Sequence, residues 1–406
     1  MRKLYIKQFG PVKEAELELR EVNLFIGEQS VGKSTIAKLI TILTDHISLC
    51  HLTETSRQSS IWEAFLKAYS LDIYKNDNYK IIYEMEEQGV LFHFEIRPKK
   101  ITSYMVQNQK RITTKSLIRF ELFRRKPIFH PDMVFEKMKK TMSEPNKEDI
   151  DAFIEECMNN SFYIPAERIV YSVITNLMPA FMLAKSILPQ NLLRFMHNME
   201  EVKKTYPQYD IPLLNVSYKY QGNEDYIIIK ENQKELPLSS ASSGIQSTIP
   251  LLLVLQLAIE HKNYSSFVIE EPECNLFPEK QVELLKYLLQ IVKSNKRTLT
   301  ITTHSPYLLS AMNNYLFAGT LVDEYKDEIK EEITKVLPEA YQLRPGECSV
   351  YSLGEDINGD GIYCKTLIDE ETGMIDYNSL DTISAMMSEE FSAIEDAYIQ
   401  MTERKG

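Results

Sequence analysis

The sequence predicts an α/β fold that combines a mixed central sheet, an antiparallel β meander and a helical lobe. Apolar residues alternate along the first twenty residues, as they do in strands with one buried face. Short apolar runs that are typical of buried strands lie at 22–26 and 266–269, and a further buried strand is predicted at 298–302. A stretch rich in Leu, Met and Phe at helical spacing, residues 170–204, predicts the helical lobe.

Further elements follow from local patterns. Alternating residues predict a hairpin over 79–96 that turns near 88–89, and a second hairpin over 216–230. Helices are predicted at 133–140 and 147–158, and an apolar helix at 248–259.

The first buried strand leads into residues 27–35, here called the phosphate loop. They fit the pattern G-x-x-x-x-G-K-[ST], and the apolar repeat at 36–43 predicts the helix that must follow. Backbone N–H groups of such a loop and the helix N-terminus hold a polyphosphate. Lys33 is expected to reach the β- and γ-phosphates of ATP, and Ser34 to ligate Mg²⁺. The predicted nucleotide contacts are Gly27, Glu28, Gln29, Ser30, Val31, Gly32, Lys33, Ser34 and Thr35.

Composition places the chain among ordinary globular proteins. Its 406 residues are 44% hydrophobic and 26% charged, with a formal net charge of −12. No apolar run approaches the ~18 residues of a membrane span, and no signal-peptide core is evident, so we expect a cytoplasmic protein. The five cysteines are scattered without a CxxC pair, which predicts neither a disulfide framework nor a zinc site.

The charge is unevenly distributed along the chain. Residues 97–140 contain 13 Lys and Arg against 3 Asp and Glu, whereas residues 321–406 contain 7 against 21. The basic segment also carries Tyr104 and Phe120, so it could hold nucleic acid or an acidic partner. The alternative is a solvated surface that the acidic tail balances.

Two adjacent carboxylates, Glu270 and Glu271, follow the apolar run 266–269. Neighbouring side chains on a strand point to opposite faces, so the two are expected to differ in role. Glu270 can support Mg²⁺, and Glu271 can act as the general base towards the attacking water. His304 follows the run 298–302 and could hydrogen-bond the γ-phosphate or that water.

Four motifs occur in a recognisable order. They are the phosphate loop, Ser-Ser-Gly-Ile-Gln at 242–246, Ile-Glu-Glu-Pro-Glu-Cys-Asn-Leu at 269–276 and Thr-Thr-His-Ser-Pro at 302–306. This order resembles the ABC-type P-loop ATPase heads of the RecF, structural-maintenance-of-chromosomes and OLD families. The OLD-like ATPases are most similar, because Ile-Pro-Ala-Glu-Arg at 164–168 also looks like theirs. The resemblance covers most of residues 1–315.

The resemblance implies ATP and Mg²⁺ as cofactors and a homodimer, or a higher even-numbered oligomer, with ATP sandwiched between heads. It implies that Ser243 and Gly244, with Gln246 in the same signature motif, contact the γ-phosphate held by the partner copy. Asn275 would lie in the loop that crosses the dimer, and His304 would be the switch histidine. The usual lobe-connecting Gln is not evident, and we expect the region of Glu167 and Arg168 to take its place.

The extent of this resemblance divides the chain into four segments. These are an N-terminal ATPase lobe with the phosphate loop (1–45), an insertion within the ATPase (46–160), the rest of the ATPase (161–315) and an acidic C-terminal extension (316–406). OLD nucleases carry a Toprim domain after the ATPase, but no Asp-x-Asp follows a buried strand in the extension, so none is expected here. Residues 356–361 begin like a calcium loop, yet its twelfth position is Leu367, which predicts an acidic turn instead.

Three functions fit these observations. The first is an ATPase that dimerises around ATP and acts as sensor and regulator of a separate effector, a nuclease or toxin, in bacterial anti-phage defence. The second is a RecF-like DNA repair or recombination ATPase that binds DNA through the basic segment 97–140. A transporter nucleotide-binding subunit ranks third, because nothing in the sequence indicates a membrane-coupling surface.

Overall fold

The computed structural model describes a defined part of the chain. It covers residues 1–45, 58–87, 90–107, 110–112, 161–174, 188–260, 264–295, 297–325, 327–354, 363–376 and 386–394. Several sequence predictions lie outside these residues. They are the hairpin turn at 88–89, most of the basic segment (113–140) with the helix at 133–140, the helix at 147–158, the middle of the predicted helical stretch (175–187) and the acidic turn at 356–361.

The described strands and helices are numbered here in chain order. The strands are Arg2–Phe9 (β1), Val12–Leu19 (β2), Val22–Gly27 (β3), Lys80–Glu87 (β4), Val90–Arg97 (β5), Lys100–Gln107 (β6), Lys110–Ile112 (β7), Ser161–Ile164 (β8), Gln208–Ile211 (β9), Val216–Gln221 (β10), Glu224–Ile229 (β11), Lys234–Pro237 (β12), Ser266–Glu270 (β13), Thr298–Thr302 (β14), Cys348–Leu353 (β15) and Cys364–Thr366 (β16). The helices are Lys33–Thr44 (α1), Gln58–Ala68 (α2), Ile169–Ile174 (α3), Gln190–Thr205 (α4), Ser243–Glu260 (α5), Pro278–Asn295 (α6), Pro306–Tyr325 (α7) and Asp327–Val336 (α8).

An antiparallel sheet carries the N-terminus in the order β2-β1-β4-β5-β6-β7. Because alternate side chains of a strand point to opposite faces, Leu4 and Ile6 are fully buried while Tyr5 and Lys7 remain partly exposed. This arrangement confirms the predicted N-terminal meander, and strands β4 and β5 confirm the predicted hairpin.

The central sheet has the order β16-β15-β3-β14-β13-β8, and its strands are parallel except for β16 at one edge. Strands β3, β14 and β13 are neighbours, with Thr302 paired both to Phe25 and to Glu270. Carboxyl ends of parallel strands meet at one edge of a sheet, where ligands bind in open α/β folds. The phosphate loop, Glu270 and the segment that contains His304 therefore meet at this edge.

Residues of the predicted acidic extension enter the central sheet. Strand β15 pairs parallel with β3 on the side opposite β14, and Leu353 lies opposite Gly27. Cys348, Val350 and Leu353 are buried, so this strand is part of the core. The acidic character of residues 316–406 is an average that conceals a short apolar strand.

The central sheet separates two hydrophobic cores, since successive side chains of β3 point to opposite faces. Leu24 and Ile26 pack into a cluster with α4, α5, α6 and α7. Phe25 packs into a second cluster with the meander, α1 and α2. Both faces of the sheet are covered, which explains why side chains on both faces of β3, β13 and β14 are buried.

The helical lobe contains α4 and α5 together with a third, antiparallel sheet in the order β12-β11-β10-β9. Buried Asp225 accepts hydrogen bonds from the hydroxyls of Tyr171 at 2.8 Å and Tyr218 at 2.5 Å, which join α3 to this sheet. Strands β10 and β11 confirm the predicted second hairpin. The predicted α/β class, with a meander, a mixed central sheet and a helical lobe, is confirmed.

Helix α5 begins at Ser243, five residues before the start predicted from its apolar run. The polar residues of the signature motif therefore form its first turn. Among the described residues, α5 is also the one helix whose length and hydropathy would suit a membrane span, but 67% of it is buried inside the fold. Its apolar character is that of a core helix.

Candidate functional site

The phosphate loop adopts a backbone conformation that only glycine tolerates at two positions. Gly27 has φ 140° and Gly32 has φ 102°, both in the left-handed half of conformational space. A Cβ on Gly27 would lie 2.2 Å from the carbonyl oxygen of Leu353, and one on Gly32 would lie 2.8 Å from Cγ2 of Val12. Strand β15 and the turn between β1 and β2 thus pack directly against the loop.

Lys33 lies inside the curve of the phosphate loop and is only 6% exposed. Its Nζ donates hydrogen bonds to the carbonyl oxygens of Gly27 at 2.8 Å and Glu28 at 2.6 Å. Burial lowers the pKa of Lys33 to about 8, although the nearby carboxylates of Glu271 and Glu270 oppose this shift. A bound phosphate would give this ammonium hydrogen bonds to anionic oxygens, which are stronger than its hydrogen bonds to neutral carbonyls.

The Glu270 carboxylate is buried between the phosphate loop and strand β8. Its Oε2 accepts a hydrogen bond from Ser34 Oγ at 3.1 Å, and its Oε1 accepts one from the hydroxyl of Tyr163 at 2.7 Å. Burial raises the pKa of Glu270, and the positive charge of Lys38 and the two hydroxyl donors counteract that rise. Ser34 and Glu270 together form a pair of hard oxygen donors, which is the ligand chemistry that Mg²⁺ prefers.

Glu271 points to a different environment from that of Glu270. Its φ of 42° ends the strand and turns the chain, so the two carboxylates diverge. Glu271 Oε1 lies 3.5 Å from His304 Nε2, and Oε2 accepts a hydrogen bond from the Cys274 thiol at 3.0 Å. Burial, and then the charge of Lys33, lowers the pKa of His304, so this imidazole is neutral at physiological pH.

Arg168 connects helix α5 to the end of strand β13. Its guanidinium is fully buried and donates hydrogen bonds to the carbonyl oxygens of Ser247 at 3.3 Å, Glu270 at 2.8 Å and Glu271 at 2.7 Å. The fork of an arginine suits several carbonyl acceptors at once. The sequence indicated this region only as a substitute for a missing Gln, and the role of Arg168 in that sense stays a prediction.

Glu273 holds the backbone after β14. Its Oε1 accepts hydrogen bonds from the Thr303 hydroxyl and from the backbone N–H of His304, the latter at 3.0 Å. It thereby fixes the point at which His304 leaves the sheet. Glu273, Tyr163 and Cys274 were not among the predicted site residues, because strand order and side-chain direction decide their contacts.

The residues of the signature motif 242–246 lie at the start of α5, beside the segment that follows Glu270 and Glu271 at the end of β13. Gly244 packs so closely that a Cβ there would lie 2.6 Å from the carbonyl oxygen of Asn275. Ser243 and Asn275 are exposed at this place. Gln246 donates hydrogen bonds from Nε2 to backbone carbonyls of the preceding turn at 2.8 and 2.9 Å, so it stabilises the helix start.

The structure thus brings the predicted residues together in two groups. The first contains the phosphate loop, Glu270, Glu271 and His304 at the edge of the central sheet. The second contains Ser243, Gly244, Gln246 and Asn275 at the start of α5. In the described part of the chain, no three His, Cys, Asp or Glu side chains are grouped to hold a metal.

A phosphate loop after a central strand, with carboxylates at the end of a second strand nearby, defines a nucleotide-binding P-loop ATPase. The sequence comparison agrees, because the profile of the AAA ATPase domain matches residues 1–206 and 192–309. The chain belongs to the AAA ATPase domain family. No curated protein sequence matches it.

Solved structures with a similar fold include three SMC head domains. A structure of the SMC head bound to the C-winged helix domain of ScpA is 12% identical, with a TM-score of 0.40 over 90% of this chain and 96% of that chain. The SMC head from Thermotoga maritima is 13% identical, with a TM-score of 0.34 over 76% and 90%. The Pyrococcus furiosus SMC head with an extended coiled coil, bound to the C-terminal domain of ScpA, is 11% identical, with a TM-score of 0.40 over 96% and 99%.

Proposed function

We propose that this chain binds ATP with Mg²⁺, hydrolyses it at the edge of the central sheet and dimerises around it. The observation that carries this proposal is the divergence of two adjacent carboxylates. Glu270 faces the Ser34 hydroxyl, whereas Glu271 faces His304 and Cys274. Metal support and proton abstraction need separate groups, and this arrangement supplies them from neighbouring residues.

In this proposal each residue of the first group has one task. The N–H groups of the phosphate loop and Lys33 bind the β- and γ-phosphates, and Ser34 and Glu270 hold Mg²⁺. The ion would neutralise negative charge on the phosphates. Glu271 accepts the proton of the attacking water, and neutral His304 hydrogen-bonds that water or the γ-phosphate.

We further propose that Ser243 and Gly244 complete the site of a second copy. Their position at the N-terminus of an 18-residue helix suits an anionic γ-phosphate, and Ser243 is exposed beside exposed Asn275. ATP would then hold two heads together, and hydrolysis would release them. In this proposal, ATP-bound protein is dimeric and nucleotide-free protein is monomeric.

The dimer is tested with the variant Glu271→Gln, which removes the base but keeps the shape of the side chain. Light scattering with Mg²⁺ and ATP should give twice the mass of the monomer, and the same sample without ATP should give the monomer. The matched control is Glu279→Gln, an exposed glutamate in the first turn of α6 that should behave like the unmodified protein. A monomer with ATP demonstrably bound would contradict the shared site.

We assign the dimer a regulatory role, as an OLD-like ATPase that controls a separately encoded nuclease or toxin in anti-phage defence. Support comes from the order of its motifs, which resembles that of OLD-like ATPases. Co-expression with the product of the neighbouring reading frame tests it. An effector whose toxicity depends on Lys33 would support the role, and one indifferent to Lys33→Ala would contradict it.

A DNA-repair role is the second candidate, because residues 97–140 carry a local excess of ten positive charges. A site with several phosphate contacts must weaken steeply as salt rises. Duplex-DNA binding should therefore be measured with ATP at several salt concentrations. Absence of binding at low salt would remove this candidate and leave the effector role.

A further inference from the structure

The described ends of the C-terminal hairpin, defined here as β15 and β16, lie against the phosphate loop. Leu353, the last residue of β15, pairs with Gly27, and its carbonyl oxygen occupies the space that a side chain at Gly27 would need. Gly354 donates its N–H to the carbonyl of Tyr363 at 3.0 Å, which fixes Tyr363 just before β16. A Cβ on Gly354 would lie 3.3 Å from Val31 Cγ1.

The Tyr363 side chain contacts the phosphate loop directly. It is 9% exposed, and its hydroxyl donates a hydrogen bond to the carbonyl oxygen of Val31. The same hydroxyl lies 3.0 Å from the carbonyl oxygen of Pro11, in the turn that packs on Gly32. Burial raises the pKa of Tyr363 to about 12, so the hydroxyl keeps its proton and remains a donor at physiological pH.

A phosphate-binding loop needs such a donor on its outer side. Its N–H groups point inwards to the anion, which turns some of its carbonyls outwards, and a carbonyl shielded from water needs a hydrogen-bond donor. Lys33 supplies donors to the carbonyls of Gly27 and Glu28. For Val31, in the middle of the loop, the donor comes from the C-terminal hairpin.

We propose that Tyr363 is a positioning residue that holds the phosphate loop in its anion-binding conformation and thereby increases its affinity for nucleotide. Tyr363 acts through the backbone of Val31 and has no part in proton transfer. The inference rests on the proposed binding of ATP by the phosphate loop. It also gives the C-terminal hairpin a role at the nucleotide site, because β15 and β16 hold the Tyr363 hydroxyl against the carbonyl of Val31.

The test is Tyr363→Phe, which deletes one hydroxyl and leaves the ring. The matched control is Tyr351→Phe in the same hairpin, because the Tyr351 hydroxyl bonds to the backbone of Glu18 in β2 instead of to the phosphate loop. ATP affinity should fall roughly tenfold in Tyr363→Phe, since the carbonyl of half-buried Val31 loses its hydrogen-bond donor, and should stay within about twofold in Tyr351→Phe. KM for ATP should rise with kcat nearly unchanged.

A second measurement separates this inference from the proposed function. Amide hydrogen exchange without nucleotide should be faster across residues 28–33 in Tyr363→Phe and unaltered there in Tyr351→Phe. If the unmodified protein fails to bind ATP, the proposed function is wrong, but the exchange data still test whether Tyr363 holds the phosphate loop. Unchanged affinity and unchanged exchange in Tyr363→Phe, or equal losses in both variants, would overturn the inference.

Discussion

Lys33 should make ATP binding depend on pH in a range where most side chains do not titrate. Burial lowers its pKa to about 8, and bound phosphates would raise that pKa because they stabilise the ammonium. Below about pH 8 the Lys33 ammonium is protonated in the free protein and contributes its full attraction to the phosphates. As pH rises through about 8, free Lys33 loses its proton, and this contribution to ATP affinity is lost.

The size of the effect follows from this pKa. At pH 7 about nine tenths of the Lys33 side chains carry a proton, and at pH 9 about one tenth do. ATP should therefore bind roughly tenfold more weakly at pH 9 than at pH 7, which corresponds to about 1.4 kcal/mol. His304 is already neutral over this interval, because burial lowers its pKa from the usual value.

Calorimetric titration with ATP and Mg²⁺ at pH 7, 8 and 9 measures the effect. Repeating the pH 8 titration in two buffers of different ionisation enthalpy should reveal uptake of about half a proton per ATP bound. Lys33→Arg serves as the control, since a guanidinium stays charged throughout and any remaining affinity should not vary with pH. Equal affinity of the unmodified protein at pH 7 and pH 9, without proton uptake, would refute the assignment of Lys33.

Two further predictions concern the residues that hold the carboxylates. Tyr163→Phe removes a donor from buried Glu270 and should raise the Mg²⁺ concentration needed for half-maximal ATP turnover roughly tenfold, most strongly at low pH, whereas the neighbouring Tyr69→Phe should not. Cys274→Ala removes the thiol donor from Glu271 and should lower kcat several-fold, whereas Cys274→Ser keeps a donor and should retain most activity. Equal kcat in both Cys274 variants would show that the thiol does not orient Glu271.

Much of the fold can be predicted from the sequence, because the local residue patterns agree with the burial of the same residues in the folded protein. The strands at 22–26, 266–270 and 298–302 consist mainly of apolar residues and threonine and are almost entirely buried, since both faces of the central sheet are covered. The phosphate loop is recognised because its glycines meet a steric requirement, with Leu353 and Val12 excluding any side chain at Gly27 and Gly32.

What the sequence could not predict depends on which strands become neighbours. Strand β15 is separated from β3 by more than three hundred residues, and its short apolar run is surrounded by acidic sequence. Its position beside the phosphate loop brings in Tyr363, which no motif includes. The role of Tyr163 is not evident from the sequence for the same reason, because only the pairing of β8 with β13 brings its hydroxyl to Glu270.

The most direct test of the proposed chemistry is phosphate release from ATP by the purified protein and by Glu271→Gln under saturating Mg²⁺. The geometry predicts turnover by the unmodified protein and a loss of at least a hundredfold in Glu271→Gln, with ATP binding retained, because the amide cannot accept the proton of the attacking water. Equal phosphate release by the two proteins would contradict the assignment of Glu271 and the account of the site built on it.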